Sequence, residues 1–321
     1  MFRKFVVPLD GSELAERALP YAVRLARAGQ GRIILVRAAL APPPMTLDGT
    51  NWERNQREEI DAAERYLDAA AAKLADQVSV ETVVPYGHPA AQILDQVRQL
   101  EADGVVMATH GRTGLARLLY GSVAEAVLAE SEVPVFLVHA RPGQPAEPAF
   151  DPKAGRLLVP LDGSAFAEAA VELAFDFLGP AGELVLATVV EEPDHILQDE
   201  RGRVLAYFDQ EVEDRTREAR TYLADVARRL RQKDCDMHVS VDVRIGEPDA
   251  GIITAATERV ADLIVMATHG RTGLTRITMG SVAGNVLRKG NTPLLLVRPA
   301  TPHAPEPSRR EVAVPGSIRI A

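Results

Sequence analysis

Short runs of β-branched and aliphatic residues alternate with amphipathic segments along most of the chain. In the first half the apolar runs predict five strands, at residues 6–9, 33–36, 79–84, 104–108 and 135–138. Runs this short and this apolar are typical of strands that are buried on both faces of a parallel sheet. Because helical patterns separate them, we expect a doubly wound α/β fold with helices on both faces of the sheet.

The first predicted helix contains a proline. Leu14, Ala18, Ala22 and Leu25 fall on one face of this helix, and Pro20 lies among them. Proline lacks a backbone donor and its ring clashes with the preceding helical turn. We therefore expect the helix to be kinked or shortened at this point.

The second half of the chain repeats the first half in the same order. The ten residues VMATHGRTGL occupy positions 106–115 and return at 265–274. FVVPLDGSELAERAL at 5–19 likewise corresponds to LLVPLDGSAFAEAAV at 157–171. A repeat this long indicates a tandem duplication of a whole domain and not a short-period solenoid.

The duplication predicts two domains, each with a five-stranded parallel sheet. The first domain is expected over 1–140 and the second over 155–298. Residues 141–154 are rich in proline and glycine, which is typical of a linker. The Pro-rich tail, 299–321, is expected to be irregular or loosely docked.

Composition restricts the class of protein. The chain has 321 residues, of which 46% are hydrophobic and 25% charged, and its net charge is −9. An acidic chain lacks the concentrated basic field of a nucleic-acid or anionic-membrane surface. Cys235 is the only cysteine, which excludes an intramolecular disulfide and cysteine-rich zinc sites. With no apolar run near the roughly 20 residues of a membrane helix and no secretory signal, we expect a cytoplasmic protein.

Polar and glycine residues follow the first and fourth predicted strands of each half. In an open parallel sheet, the ligand crevice lies beyond the carboxyl ends of the strands, where the winding reverses. In the first half the candidate residues are Pro8, Asp10, Ala108, His110, Gly111, Gly114, Gly121 and Ser122. In the second half they are Pro160, Asp162, Ala267, His269, Gly270, Gly273, Gly280 and Ser281. Each half therefore has one candidate crevice.

A Gly-Ser pair begins the last predicted helix of each half, as Gly121 with Ser122 and as Gly280 with Ser281. A helix start offers unpaired N–H groups and a partial positive charge, which suit a phosphate. Glycine lets the backbone approach a ligand closely. A lone Gly-Ser pair is more typical of a plain turn with a helix cap than of a phosphate site.

The loop before this helix is preserved between the halves better than the preceding helix. Fourteen of the twenty residues at 103–122 are identical at 262–281, whereas only four of the fifteen residues at 88–102 are identical at 247–261. Packing tolerates exchange of apolar residues, and a loop that wraps a ligand tolerates less. The comparison favours a binding loop, and a turn with strict geometry stays open as the alternative.

The aspartates and histidines admit two interpretations each. Asp10 and Asp162 either contact a ribose hydroxyl or a phosphate-bound metal, or they cap the turn into the first helix of their half. His110 and His269 stand among small residues, which favours a structural role over a catalytic one. The sequence contains no P-loop motif, no strand that ends in G-x-G-x-x-G and no G-x-S-x-G elbow. We predict no catalytic residue.

In each half, a strand leads into P-x-D-G-S and a helix, G-x-P precedes the third helix, and a Gly-rich loop ends on Gly-Ser. Together these features resemble the universal stress protein family. The resemblance covers roughly 1–140 and 153–298, as a tandem pair. In nucleotide-binding members, the loop G-x2-G-x9-G-[ST] wraps the phosphates of ATP. The P-x-D segment and the residues after the second strand hold adenine and ribose. The resemblance thus implies a stress-response protein that binds ATP, either alone or with Mg²⁺ at Asp10 and Asp162.

Both halves depart from the family loop at its first glycine, which is replaced by Ala108 and Ala267. An alanine adds a methyl group and disfavours positive φ, so it weakens a site that needs the bare backbone. Other members of the family do not bind ATP and act through dimer contacts. An ATP-binding regulator, an interaction module with an empty crevice and a slow ATP hydrolase therefore all stay open.

The resemblance also implies how the two halves associate. In the family, the fifth strands of two domains pair antiparallel across a two-fold axis. Here that pairing would join 134–138 to 293–297 within one chain, as an intrachain pseudo-dimer. A further homodimer and an unidentified protein partner are compatible with this arrangement.

Overall fold

Within the residues that the structure describes, the strands belong to two sets of five, one from each half of the chain. The computed structural model describes residues 2–40, 49–110, 121–140, 150–152, 154–179, 181–192, 208–233, 238–268 and 279–298. The first half forms β1 (Lys4–Pro8), β2 (Arg32–Val36), β3 (Ser79–Val83), β4 (Gly104–His110) and β5 (Val135–Ala140). The second half forms β6 (Arg156–Pro160), β7 (Glu183–Val190), β8 (His238–Ile245), β9 (Leu263–Ala267) and β10 (Leu294–Val297).

Helices follow the strands in both halves. The first half contributes α1 (Glu13–Glu16), α2 (Leu19–Ala28), α3 (Gly49–Ala72), α4 (Pro89–Gln99) and α5 (Ser122–Glu130). The second half contributes α6 (Ala165–Phe177), α7 (Phe208–Arg231), α8 (Pro248–Glu258) and α9 (Ser281–Lys289). Buried residues of α2, α3, α6 and α7 pack on one face of the sheet, and those of α4, α5, α8 and α9 pack on the other. No helix within the described ranges is long and apolar enough to cross a membrane.

The ten strands form one continuous sheet in the order β3-β2-β1-β4-β5-β10-β9-β6-β7-β8. Within each half all pairings are parallel, and the winding reverses beside the first strand. This confirms the predicted doubly wound α/β fold in tandem. β5 and β10 pair antiparallel, with Leu295 opposite Phe136. The two predicted sheets are thus joined edge to edge, as the resemblance implied, and neither apolar edge is left open.

The proline in the first helical segment acts as expected. α1 ends at Glu16, and α2 begins at Leu19 with Pro20 in its first turn. Proline is tolerated there because the first N–H groups of a helix have no intrahelical acceptor. In the second half Glu172 replaces this proline, and α6 runs unbroken over thirteen residues.

Aromatic residues join the two halves beneath β5 and β10. The ring of Phe136 lies 5.7 Å from that of Tyr21 and 6.1 Å from that of Phe150. The Phe150 ring in turn stacks on Phe177, at 6.0 Å. Phe150 is only 2% exposed, and its carbonyl accepts a hydrogen bond of 3.0 Å from Nη1 of Arg24. The segment predicted as the linker therefore contributes a side chain, Phe150, to the core.

Candidate functional site

A cavity of about 470 Å³ opens at the carboxyl ends of β6, β7 and β9. β6 lies between β9 and β7, so the cavity is at the point where the winding of the second half reverses. It is lined by Pro160, Leu161, Asp162, Ala167, Ala187, Thr188, Val189, Glu191, Pro248, Ile252, Met266, Ala267, Thr268, Gly280, Ser281, Val282 and Ala283. Its volume falls within the range of pockets that hold small-molecule ligands.

The structure brings together the predicted residues that it describes. In the second half the cavity wall includes Pro160, Asp162, Ala267, Gly280 and Ser281. In the first half the corresponding residues are Pro8, Asp10, Ala108, Gly121 and Ser122, at the ends of β1 and β4 and the start of α5. His110 is the last residue of β4. The remaining candidates lie outside the described residues: Gly111, Gly114, His269, Gly270 and Gly273.

The start of α9 faces the cavity. Gly280 is the N-cap, and it offers no side-chain acceptor to the first turn. Ser281 is the first helical residue and not the cap, and Ser281, Val282 and Ala283 all line the cavity. The first N–H groups of a helix have no intrahelical acceptor, and they carry its partial positive charge. This wall of the cavity is therefore suited to an anion.

The alanines that replace the first loop glycine have extended backbones. Ala108 pairs with Val138 within β4 and β5, and Ala267 pairs with Val297 within β9 and β10. Among the residues described, positive φ outside glycine occurs only at Gln30, Glu101 and Val260. Alanine is compatible with the backbone at these two positions, and its effect is limited to the volume of one methyl group.

The two aspartates hold the turn after the first strand of each half. Oδ1 of Asp10 accepts the Ser12 N–H at 2.9 Å, and Oδ1 of Asp162 accepts the Ser164 N–H at 3.0 Å. The intervening glycines have φ of +90° at Gly11 and +83° at Gly163, a conformation that other residues rarely adopt. The serine is the N-cap of the helix, and the aspartate closes the turn that precedes it. The turn-forming interpretation is thus confirmed for Oδ1.

A tyrosine–glutamate contact outside the predicted site residues joins two helices in each half. In the second half Tyr222 donates to Oε1 of Glu168 at 3.1 Å, and Arg229 donates to Oε2 at 2.9 Å. In the first half Tyr66 donates to Oε1 of Glu16 at 3.0 Å. The contacts tie the helix after the first strand to the long helix α3 or α7. The only signal in the sequence is that tyrosine and glutamate recur in both halves.

Both phenols are held in their protonated, hydrogen-bond-donating form. Burial raises the pKa of Tyr222 well above its ordinary value, and the adjacent Glu168 carboxylate raises it further. Burial and the hydrogen bond to Glu16 act on the pKa of Tyr66 in the same direction. Within the ranges that the structure covers, no group of three or more histidine, cysteine, aspartate or glutamate side chains is placed to hold a metal ion.

Fold and crevice together define a tandem doubly wound α/β protein with a ligand-sized cavity in its second half. The sequence profile of the universal stress protein family matches residues 1–139 and 153–298. The chain belongs to the universal stress protein family.

Relatives that align over most of their own length support this assignment. A universal stress protein of Mycobacterium tuberculosis is 28% identical over 80% of this chain and 82% of its own length. One from Mycolicibacterium smegmatis is 27% identical over 92% of this chain and 96% of its own. The crystal structure of a universal stress protein from Archaeoglobus fulgidus shares the fold, with a TM-score of 0.67 and 21% identity, over 92% of this chain and 98% of that one.

Proposed function

We propose that this universal stress protein binds ATP in the cavity of its second half and acts as a nucleotide-dependent regulator of the stress response. The observation that carries the proposal is the composition of one continuous cavity. At one wall it exposes the start of α9, and at another the apolar ends of β6 and β7 with a carboxylate beside them. A nucleotide needs these two environments side by side.

The start of α9 would hold the phosphates. Gly280 has no side chain to screen the first-turn N–H groups, and the hydroxyl of Ser281 provides a further donor at the rim. A phosphate at a helix N-terminus is stabilised both by these donors and by the helix dipole. The implied Mg²⁺ fits this arrangement, because Mg²⁺ is commonly bound by one or two carboxylates together with nucleotide phosphates, and Asp162 lines the same cavity.

The ends of β6 and β7 would hold the nucleoside. Leu161, Val189 and Met266 offer apolar surface of the kind that covers the faces of a purine. Asp162 is exposed beside them, and a carboxylate is a good acceptor for ribose hydroxyls. The Tyr222–Glu168 hydrogen bond ties α6, whose Ala167 lines the cavity, to α7, which should lower the entropic cost of ordering the site on binding.

Calorimetric titration of the full chain with ATP, adenosine and inorganic tripolyphosphate, each with Mg²⁺, tests this proposal. We expect ATP to bind with Kd in the micromolar range, about −8 kcal/mol. Adenosine and tripolyphosphate should each bind at least about 100-fold more weakly, because each fills only one part of the cavity.

Absence of binding at millimolar ATP would contradict the proposal and favour an interaction module with an empty crevice. Equal affinity for ATP and tripolyphosphate would contradict the assignment of a nucleoside site. Release of phosphate from bound ATP, followed in the same samples, separates a regulator from a slow hydrolase.

A further inference from the structure

The two crevices differ at the residue that follows the second strand. Pro8 pairs with Val36 in the first half, and Pro160 pairs with Ala187 in the second. The next residues, Arg37 and Thr188, therefore occupy the same place in the two sheets. A long cation in one crevice corresponds to a small neutral side chain in the other.

The Arg37 guanidinium lies between the turn after β1 and the long helix α3. Its Cζ is 4.9 Å from the centroid of the Tyr66 ring, in cation–π geometry. A Cβ placed on Gly11 would be 3.1 Å from Nη1 of Arg37 and 3.5 Å from Cζ. The guanidinium thus rests against the backbone of the turn that contains Asp10. It is held there on two sides.

In the second half, the residues that the structure describes leave the same space open. Oγ1 of Thr188 turns back and donates to the carbonyl of Leu161 at 2.9 Å. A Cβ placed on Gly163 would have no heavy atom of the described residues within 4 Å. Tyr222 donates to Glu168 as Tyr66 donates to Glu16, so the tyrosine on which Arg37 packs has a counterpart in the second half. The side chain after the second strand is therefore what separates an occupied space from an open one.

We propose that the two crevices are functionally unequal, and that Arg37 closes the nucleoside side of the first, so that each chain binds one ATP, in the second half. This inference rests on the proposed ATP binding. Arg37 follows β2 and packs at the turn after β1, which is the side proposed for base and ribose. The phosphate side is at the start of α5, so the guanidinium occupies the place of the nucleoside. To admit a nucleoside, the first crevice must break the Arg37–Tyr66 contact.

Four forms of the full chain test the proposal by the number of ATP molecules bound, measured by equilibrium dialysis with radiolabelled ATP and Mg²⁺. The wild type should bind one ATP per chain. Arg37→Thr should open the first crevice and bind two. Thr188→Arg should bind none, because the new arginine can stack on Tyr222 as Arg37 does on Tyr66. The double variant, with the two side chains exchanged, should again bind one.

The exchange separates closure of a crevice from damage to the fold, since a misfolded double variant would not regain a site. Two ATP molecules per wild-type chain, or weaker total binding by Arg37→Thr, would overturn the inference and leave the proposed function intact. The second result would make Arg37 a ligand contact. Absence of ATP from all four forms would overturn the proposed function, and this inference with it.

Discussion

Replacing Phe136 with alanine is expected to lower the free energy of unfolding by about 3–5 kcal/mol, which is typical of a buried phenylalanine. Phe136 is 1% exposed and lies on β5, opposite Leu295 of β10. Its ring contacts those of Tyr21 and Phe150. Truncation would leave a cavity lined by residues of both halves, because the core continues across the β5–β10 pair.

Urea-induced unfolding followed by circular dichroism measures this effect. Leu40→Ala is a suitable control, since Leu40 is 44% exposed and its truncation should change the stability by no more than about 0.5 kcal/mol. Hydrogen exchange shows where the effect lies. In Phe136→Ala, the amides of both β5 and β10 should exchange faster than they do in the wild type. If only the first half were destabilised, the two halves would not share one core.

Replacing Ser281 with aspartate is expected to weaken ATP binding about 100-fold or more, which corresponds to about 2.7 kcal/mol. Ser281 is the first residue of α9 and lines the cavity. Two unit charges about 4 Å apart interact by about 4 kcal/mol at an effective dielectric constant near 20. The new carboxylate would therefore repel the triphosphate strongly. An acidic residue in the first turn interacts favourably with the helix dipole, so the variant should keep its fold.

Gln232→Glu is the matched charge control for this variant. Gln232 follows α7 at the end of the sheet where β8 begins, since the adjacent Arg231 donates to the carbonyl of Val239. The Gln232→Glu substitution adds the same negative charge far from the carboxyl ends of the strands, so the affinity for ATP should be unchanged. Calorimetric titration of both variants provides the comparison. Equal losses in the two would indicate a general charge effect, and no loss in Ser281→Asp would place the phosphates elsewhere.

The order of elements could be predicted because short, wholly apolar runs that alternate with helical patterns fit few folds. Because the chain is duplicated, the order of strands and helices in the second half could be predicted from that in the first. The break before Pro20 also followed from the sequence, since proline has one well-understood effect within a helix. The burial of Phe150 could not be predicted, because it depends on where the two fifth strands meet, and its neighbours in the sequence are typical of a linker.

The candidate site was predictable in part. The turn at Asp10 and Asp162 and the helix starts at Gly121 and Gly280 carry local signals, because their geometry is set by adjacent residues. The position of Arg37 carries none. Its side chain meets Tyr66, nearly thirty residues further along the chain, and that contact depends on how α3 lies against the sheet. The difference between the two crevices is thus a property of tertiary structure, although both halves contain the same turn and the same helix-start motif.

A crystal structure of the full chain grown with ATP and Mg²⁺ tests the central claim most directly. It should show the triphosphate within hydrogen-bond distance of the first N–H groups of α9 and the base beside the ends of β6 and β7. ATP bound at another surface, or N–H groups of α9 that are already paired with acceptors from the chain itself, would contradict the account.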